Sequence, residues 1–198
     1  MINVNKILEL QLQKVTEWHT EMKLSEETLP WKFIEENTQW NFMLWHEEDI
    51  ARIKDIDPMR IVEAKRNIDK YNQARNNAME KIDEWVLSYL ESNQIQPGEK
   101  IHSETPGMMI DRLSIMTLKK YHMQEEVDRP DASEEHRNKC ADRVAVLTEQ
   151  MSDLSSALSD VFQALQNSTL RFKVYRQFKM YNDPSLNPQL YKRGQKEA

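Results

Sequence analysis

Glycine and proline are scarce in this chain, and that scarcity limits what it can fold into more than any other feature. Only three glycines and seven prolines occur among 198 residues, whereas glycine alone averages about 7% of a typical protein. Turn-rich β-sandwiches need such residues at short intervals. The three glycines, Gly98, Gly107 and Gly194, stand alone, so neither the dinucleotide-binding nor the P-loop glycine motif is present. The composition therefore predicts a helical protein.

The few prolines and glycines lie where helices are expected to begin or end. Asp57-Pro58 and Thr105-Pro106 each place a capping side chain before a first-turn proline. Between such positions, apolar side chains recur at helical spacing. The pattern predicts an all-α fold, an antiparallel bundle of about five helices with two long ones. The expected helices cover residues 3–24, 31–55, 58–93, 107–127 and 133–180, the last with a kink near Asn167-Ser168.

Length, charge and cysteine content set further limits. With 198 residues and a net charge of −6, we expect one helical-bundle domain over residues 1–191 and a basic, disordered tail over 192–198. The acidic balance argues against nucleic-acid binding. No apolar run approaches the ~18 residues of a membrane span, and a single cysteine, Cys140, fits a reducing compartment. We therefore expect a cytoplasmic protein that binds neither nucleic acid nor membrane.

The second predicted helix is apolar around most of its circumference but carries a narrow polar strip. The strip contains Asn37, Asn41, Glu48 and Arg52, and His46 and Asp49 lie on the same turn as Glu48. Burying such groups costs several kcal/mol each unless they are paired. Glu48 and Arg52 are four residues apart, so they can form an ion pair along the helix. The strip is therefore either a structural ion pair or part of a binding site.

The third predicted helix carries a matching polar face, which contains Lys65, Asp69, Asn72, Gln73, Asn76, Glu80 and Asp83. Its asparagines and aspartates are poor helix formers, which ordinary solvated faces avoid. Arg75 stands instead in the apolar line of this helix and needs a buried acid, for which Glu48 and Asp111 are the candidates. A solvated face remains the alternative explanation for the polar residues.

Carboxylates on adjacent helices make magnesium the one candidate cofactor. The candidate Mg²⁺ ligands are Glu48, Asp49, Glu80 and Asp83, because acids on neighbouring helices can hold an ion that also binds substrate phosphates. Glu80 and Asp83 resemble half of the motif of all-helical nucleotide pyrophosphatases, but Ala51 breaks the other half. His122 is interpreted as a hydrogen-bonded core or surface histidine rather than a metal ligand, because it belongs to no His-x-x-x-His or Glu-x-x-His pair.

Four blocks of sequence resemble one protein family. They are Asn41-x-x-Leu44-Trp45-His46-x-Glu48-Asp49-x-Ala51-Arg52, Lys65-Arg66-x-Ile68-Asp69-x-x-Asn72-Gln73-x-Arg75-Asn76, Glu104-Thr105-Pro106-Gly107 with Ile110-Asp111-Arg112-Leu113-Ser114-Ile115, and Lys179-Met180-Tyr181-Asn182-Asp183 with Leu186-Asn187-Pro188. Over roughly residues 30–191 the chain is similar to the bacterial family labelled as a domain of unknown function, number four-two-five-four. The resemblance implies a bacterial, all-helical protein and implies no activity.

The first functional hypothesis is a site for a small anionic ligand, such as a phosphorylated sugar or a nucleotide, with Mg²⁺ assisting. Arginine side chains would hold the phosphate through their planar forks. The candidate catalytic residues are Glu48, Asp49 and Asp111. The candidate ligand-binding residues are Asn41, His46, Arg52, Lys65, Asp69, Asn72, Gln73, Arg75, Asn76 and Arg112.

The second hypothesis is a non-catalytic interaction or scaffold protein in which the same charges form a structural ion-pair network. Its apolar line from Cys140 to Leu165 has the spacing of a bundle seam and would pair two chains in a homodimer. The sequence decides neither between the two hypotheses nor whether the protein is an enzyme.

Overall fold

The computed structural model describes residues 1–178 and 183–192, and this part of the chain is mostly α-helical. Its elements are α1 (Val4–Trp18), α2 (Trp31–Ile50), α3 (Pro58–Ser92), β1 (Lys100–Ile101), α4 (Pro106–Asp128), α5 (Glu134–Gln166), β2 (Leu170–Arg171) and α6 (Pro188–Tyr191). The predicted all-α fold is confirmed, and α3 and α5 are the two long helices, with 35 and 33 residues. Among the described residues, no helix combines the length and apolar character needed to cross a membrane.

Side-chain caps begin α3 and α4 at the predicted places. The Asp57 carboxylate accepts a hydrogen bond from the Met59 amide at 2.9 Å, and the Thr105 hydroxyl accepts one from the Met108 amide at 3.2 Å. Each cap satisfies an amide that the first turn leaves without a carbonyl partner. A proline follows each cap, and both helices begin within one residue of the predicted start.

The prediction of a last helix up to residue 180 is wrong beyond Gln166. α5 ends there because Ser168 adopts a left-handed backbone conformation, with φ of 56°. The expected kink is therefore the end of the helix. The chain continues extended, and Leu170 and Phe172 are buried while Lys173 is exposed, which is the alternation of a strand. β2 pairs in parallel with β1 in the connection between α3 and α4.

The helices α1 and α2 also end earlier than predicted, at Trp18 and Ile50 rather than at residues 24 and 55. After α1, the buried Glu35 of α2 accepts hydrogen bonds from the amides of Ser25 at 3.0 Å and Glu26 at 2.8 Å. Lys14 Nζ lies 3.3 Å from the same carboxylate. This buried pair is satisfied on both sides, as burial requires, and it holds the connection in a non-helical path.

The pKa of Lys14 reflects this pairing. Burial lowers the pKa, but the hydrogen bonds and charges of Glu17 and Glu35 outweigh the burial and raise it above its ordinary value. Lys14 therefore stays charged beside Glu35 at neutral pH. The ion pair joins α1 to α2 and to the segment between them.

The main core is built from α1 to α5 and β2. Its largest fully buried members are Ile7, Ile34, Ile82, Ile110, Leu113, Leu158 and Leu165. The apolar line of α5 contributes directly, because Leu154, Leu158 and Leu165 belong to this core, and Cys140 is also buried. The protein thus buries much of this line in its own fold, while Val144, Leu147 and Met151 are half-buried. The homodimer stays a prediction.

Two predictions concern residues beyond the described part of the chain. The tail predicted over residues 192–198 lies outside it except for Lys192, and four of the five residues of the block Lys179–Asp183 also lie outside it. The single domain over residues 1–191 stays a prediction.

The start of α4 lies directly against α3 at Gly107. A Cβ atom added to Gly107 would be 2.4 Å from the Met79 carbonyl oxygen and 2.9 Å from Asp83 Oδ1. The Gly107 amide donates a hydrogen bond to that Oδ1 at 2.7 Å. Gly107 is therefore required by the close approach of the two helices.

Replacing Gly107 with alanine is expected to lower the free energy of unfolding by about 3 kcal/mol, because the Met79 carbonyl cannot move without displacing α3. In an unobstructed helix the same change would stabilise the protein by about 1 kcal/mol. Urea denaturation measures the difference. Ser156→Ala on the exposed side of α5 is the control and should change stability by less than about 0.5 kcal/mol. An unchanged unfolding midpoint for Gly107→Ala would contradict the close approach.

Candidate functional site

A cleft of about 430 Å³ opens between α2, α3 and α4, a volume in the range of small-molecule sites. We call it the polar cleft. Its polar lining consists of Asn41, Glu48, Asp49, Arg52, Asn72 and Arg75. Its apolar lining consists of Leu44, Trp45, Ile68, Ile115 and Leu118. Candidate residues predicted on two separate helices therefore share one cavity.

The buried carboxylate of Asp111 joins the three helices that form the cleft. Asn37 and Asn41 of α2 donate side-chain hydrogen bonds to Asp111 Oδ1 at 2.8 and 2.9 Å. From α3, Arg75 Nε lies 3.8 Å from the same oxygen. Asp111 is thus the buried acid that Arg75 was expected to need. We call these four residues the Asp111 network.

The pair of Glu48 and Arg52 lies on the exposed side of the cleft. Arg52 Nη1 is 2.7 Å from Glu48 Oε2, so the predicted ion pair forms. The side chains of Glu48 and Arg52 are 45% and 69% exposed, respectively, and an ion pair in water contributes at most about 1 kcal/mol. The pair therefore does not stabilise a buried strip, and its charges remain accessible from solvent. Asp49, also exposed, adds a second carboxylate there.

Two polar atoms of the cleft are buried and have no hydrogen-bond partner among the described residues. They are Arg75 Nε, a donor, and Asn72 Oδ1, an acceptor. Leaving a buried polar atom unpaired costs about 1–3 kcal/mol, and proteins rarely do so. At 3.8 Å, Asp111 is too distant to accept a hydrogen bond from Arg75 Nε. The side chains of Arg75 and Asn72 therefore each retain hydrogen-bonding capacity beside the cleft that they line.

Several predicted ligand-binding residues of α3 lie outside the polar cleft. Lys65 Nζ pairs with Asp69 Oδ1 at 2.6 Å, and Gln73 Nε2 donates to Asn77 Oδ1 at 2.8 Å. Both contacts are exposed and local, four residues apart along the helix. For these residues the alternative of a solvated face fits the structure.

Arg112 and Asn76 are also separate from the cleft lining. Arg112 Nη1 pairs with Glu104 Oε1 at 2.8 Å, and the arginine side chain is 53% exposed. Asn76 is buried within α3 at 6% exposure. Arg75 and Arg52 are therefore the arginines of the predicted set that line the cleft.

The structure separates the four candidate magnesium ligands. Glu80 Oε2 accepts a hydrogen bond from Arg176 Nη1 at 2.6 Å, and Asp83 is buried against the start of α4. Within residues 1–178 and 183–192, these acids form no group at metal-ligand spacing with Glu48 and Asp49. Glu48 and Asp49 line the polar cleft, and Glu80 and Asp83 are not part of its lining.

The environment of Asp83 changes its protonation. Burial raises the pKa of Asp83 to about 6, while hydrogen bonds from the Thr105 hydroxyl and the Gly107 amide oppose that rise. The nearby charges of Glu80 and Glu84 add to it. The carboxylate that holds the start of α4 therefore becomes charged only near neutral pH.

His46 belongs to a different group of residues. One ring nitrogen each of His19, His46 and His122 lies within 4.8 Å of the other two; we call these residues the histidine cluster. Burial and the charges of the other two imidazoles lower the pKa of His46. His122 is hydrogen-bonded as predicted, through Nδ1 to Glu125 Oε2 at 2.7 Å. No sequence motif indicated the cluster, because its members are far apart in the chain.

Comparison with known protein families identifies a match over most of the chain. Residues 31–174 match the family model described as "Protein of unknown function (DUF4254)". The match confirms the resemblance that the sequence blocks carried, although it stops before the fourth block. No curated protein and no solved structure matches the chain.

Removing the carboxylate of Asp111 is expected to lower the free energy of unfolding by about 3–5 kcal/mol. Asp111→Ala leaves two buried amides without an acceptor and Arg75 without its acid. Asp111→Asn keeps an oxygen for the amides and should lose less. Urea denaturation compares both variants with Asp69→Ala, whose exposed ion pair should contribute less than about 1 kcal/mol. Equal losses for Asp111→Ala and Asp69→Ala would contradict the role of the Asp111 network.

The raised pKa of Asp83 predicts a pH dependence of stability. Between pH 3.8, the ordinary pKa, and about pH 6, the folded protein binds more protons at this site than the unfolded chain. Its contribution to the free energy of unfolding therefore falls as pH rises through this window, by up to about 3 kcal/mol, and is constant above it.

Asp83→Asn removes this titration but keeps an oxygen for the Gly107 amide. Relative to the wild type, the Asp83→Asn variant should gain stability between pH 4 and 7 in denaturation curves, with the exposed Asp153→Asn as control. A parallel pH profile for the variant and the wild type would show that Asp83 does not titrate in this range.

Proposed function

Since the chain belongs to the DUF4254 family, whose description states no function, we propose its function from its own geometry: the polar cleft binds a small phosphorylated molecule. The observation that carries the proposal is the buried, unpartnered pair of Arg75 Nε and Asn72 Oδ1. A phosphate oxygen would accept a hydrogen bond from Arg75, and a hydroxyl would donate one to Asn72. A phosphorylated sugar or a nucleotide carries both groups.

The charges of the cleft favour a phosphate that arrives with a cation. Arg52 and Arg75 are balanced by Glu48 and Asp49 in the lining, and Asp111 lies next to Arg75. A phosphate alone would meet both attraction and repulsion. Mg²⁺ is commonly held by one or two carboxylates together with substrate phosphates, and Glu48 with Asp49 would supply those carboxylates.

The apolar lining of the cleft fits the remainder of such a molecule. Trp45, Leu44 and Ile68 line the same cavity as the charged residues. Small-molecule sites commonly combine an apolar wall with a few polar groups that fix orientation. The indole of Trp45 would pack against a sugar or base, while Arg75 and Asn72 would fix the polar end.

The three candidate catalytic acids differ in their access to a bound molecule. Asp111 accepts two amide hydrogen bonds and is 7% exposed, so its role in the proposal is to position Arg75. Glu48 and Asp49 line the cleft and are accessible from solvent. The proposal is one of binding and includes no reaction. Sugar phosphates and nucleotides are concentrated inside cells, so a cytoplasmic location belongs to it.

The alternative is a non-catalytic scaffold protein whose polar residues only hold its helices in register. The Asp111 network favours this alternative, because its two amide hydrogen bonds are short and fully buried. In that case Arg75 would complete the network, and the cleft would bind no small molecule. The two proposals therefore differ in one measurable property, the affinity of the cleft for phosphorylated compounds.

Calorimetric titration with nucleotides and sugar phosphates, with and without Mg²⁺, tests the proposal. For a ligand that binds, Arg75→Met is expected to weaken affinity about 10- to 100-fold, because a charge-assisted hydrogen bond contributes roughly 1.5–3 kcal/mol. Arg112→Met removes an exposed arginine outside the cleft and should leave affinity unchanged. Glu48→Gln should weaken binding in the presence of Mg²⁺ only.

The scaffold alternative predicts the opposite results. It expects no binding by the wild type across the panel of nucleotides and sugar phosphates. Equal affinities of the Arg75→Met and Arg112→Met variants would likewise place any binding outside the polar cleft.

A further inference from the structure

Three imidazoles from different segments of the chain converge on one point. His19 follows the end of α1, His46 lies on α2 and His122 lies on α4. Their ring centroids are 5.3 Å apart for His19 and His46, 5.2 Å for His19 and His122, and 5.6 Å for His46 and His122. The planes meet at 71–86°, so no two of these rings are stacked on each other.

This spacing is that of imidazoles around a tetrahedral metal ion. A Zn–N bond of about 2.0–2.1 Å puts each ring centroid about 3.2 Å from the metal, and tetrahedral angles then separate the centroids by about 5.2 Å. The nitrogens, within 4.8 Å of one another, need to close by about 1.5 Å at most to reach the N–N separation of such a site. We propose that His19, His46 and His122 bind a divalent transition-metal ion, Zn²⁺ or one of similar chemistry.

The other ring nitrogens are held as they are in metal-binding histidines. His19 Nδ1 lies 2.7 Å from the Val15 carbonyl oxygen, and His122 Nδ1 lies 2.7 Å from Glu125 Oε2. A ligating histidine usually donates its second N–H to a carbonyl or carboxylate, which fixes the tautomer and the ring orientation. Both contacts leave Nε2 as the ligand atom. His122 Nε2 is buried and has no hydrogen-bond partner among the described residues.

An aromatic side chain supports each of the three rings. Tyr121 stacks on His19 with centroids 4.4 Å apart, and Trp45 stacks on His122 at 4.8 Å. Phe42 meets the edge of His46 at 4.4 Å. Such packing limits rotation of the imidazoles, so the three rings are kept close together before an ion binds.

The donor set selects the class of ion. Imidazole nitrogens suit Zn²⁺, Cu²⁺, Fe²⁺ and Ni²⁺, whereas Mg²⁺ and Ca²⁺ require oxygen ligands. Three protein ligands leave a fourth tetrahedral position for water or a small ligand. Because His19 is exposed, this position would be reached from solvent. None of the three histidines lines the polar cleft, whose carboxylates would hold a hard cation. Zinc binding by the histidine cluster can therefore fail while phosphate binding in the cleft holds, and the reverse.

Full-length protein freed of metal and titrated with Zn²⁺ against a chromophoric chelator tests the proposal. We expect one equivalent to bind with micromolar or tighter affinity. His19→Ala should weaken binding at least about 100-fold, because it removes one of the three ligands. Glu125→Gln should weaken it about 10-fold through His122. His102→Ala, which removes a histidine outside the cluster, should bind Zn²⁺ as the wild type does.

Cobalt provides an independent readout, because four-coordinate Co²⁺ absorbs visible light far more strongly than octahedral Co²⁺. The wild type and His102→Ala should show the intense bands, and His19→Ala should lose them. Sub-stoichiometric Zn²⁺ binding by the wild type, or equal affinities of the wild type and His19→Ala, would overturn the proposal. Circular dichroism of each variant confirms that it is folded.

Discussion

The buried carboxylate of Asp111 joins three of the helices of this molecule. Asp111 of α4 accepts hydrogen bonds from two asparagines of α2 and lies beside Arg75 of α3. A charge in this position must be paired, so the three helices can pack only in the register that brings these partners to it. Gly107, one turn earlier, permits that register because its missing side chain lets α4 approach the Met79 carbonyl. The polar cleft lies beside this junction.

Local signals in the sequence were sufficient for much of the fold. The caps at Asp57 and Thr105 predicted the starts of α3 and α4, because capping depends on residues close in sequence. A second local signal lies near the end of the chain. Leu170, Phe172 and Val174 alternate with polar residues, which indicates a strand rather than the predicted helix. The end of α1 has no such local signal, because the path of the chain after α1 depends on hydrogen bonds from the Ser25 and Glu26 amides to Glu35 of α2.

The candidate site was predictable only in part, because helical periodicity gives the direction of a side chain but not what faces it. Arg75 on the apolar line of α3 correctly required a buried acid. Lys65 and Asp69 lie on the same helix and pair with each other in solvent, as their spacing of four residues and the alternative of a solvated face allowed. The histidine cluster had no local signal at all, because its members meet only when α1, α2 and α4 pack together.

Trp45 connects the two parts of the molecule that carry proposals. Its indole lines the polar cleft and stacks on His122 of the histidine cluster, so a single rigid side chain separates an oxygen-rich region from a nitrogen-rich one. Hard cations with phosphate prefer the first kind of donor, and transition metals prefer the second. The two sites would therefore not compete for one ion. The Trp45 indole lies between the two sites. Any movement of Trp45 that accommodates a molecule in the cleft would also change how the His122 ring is packed.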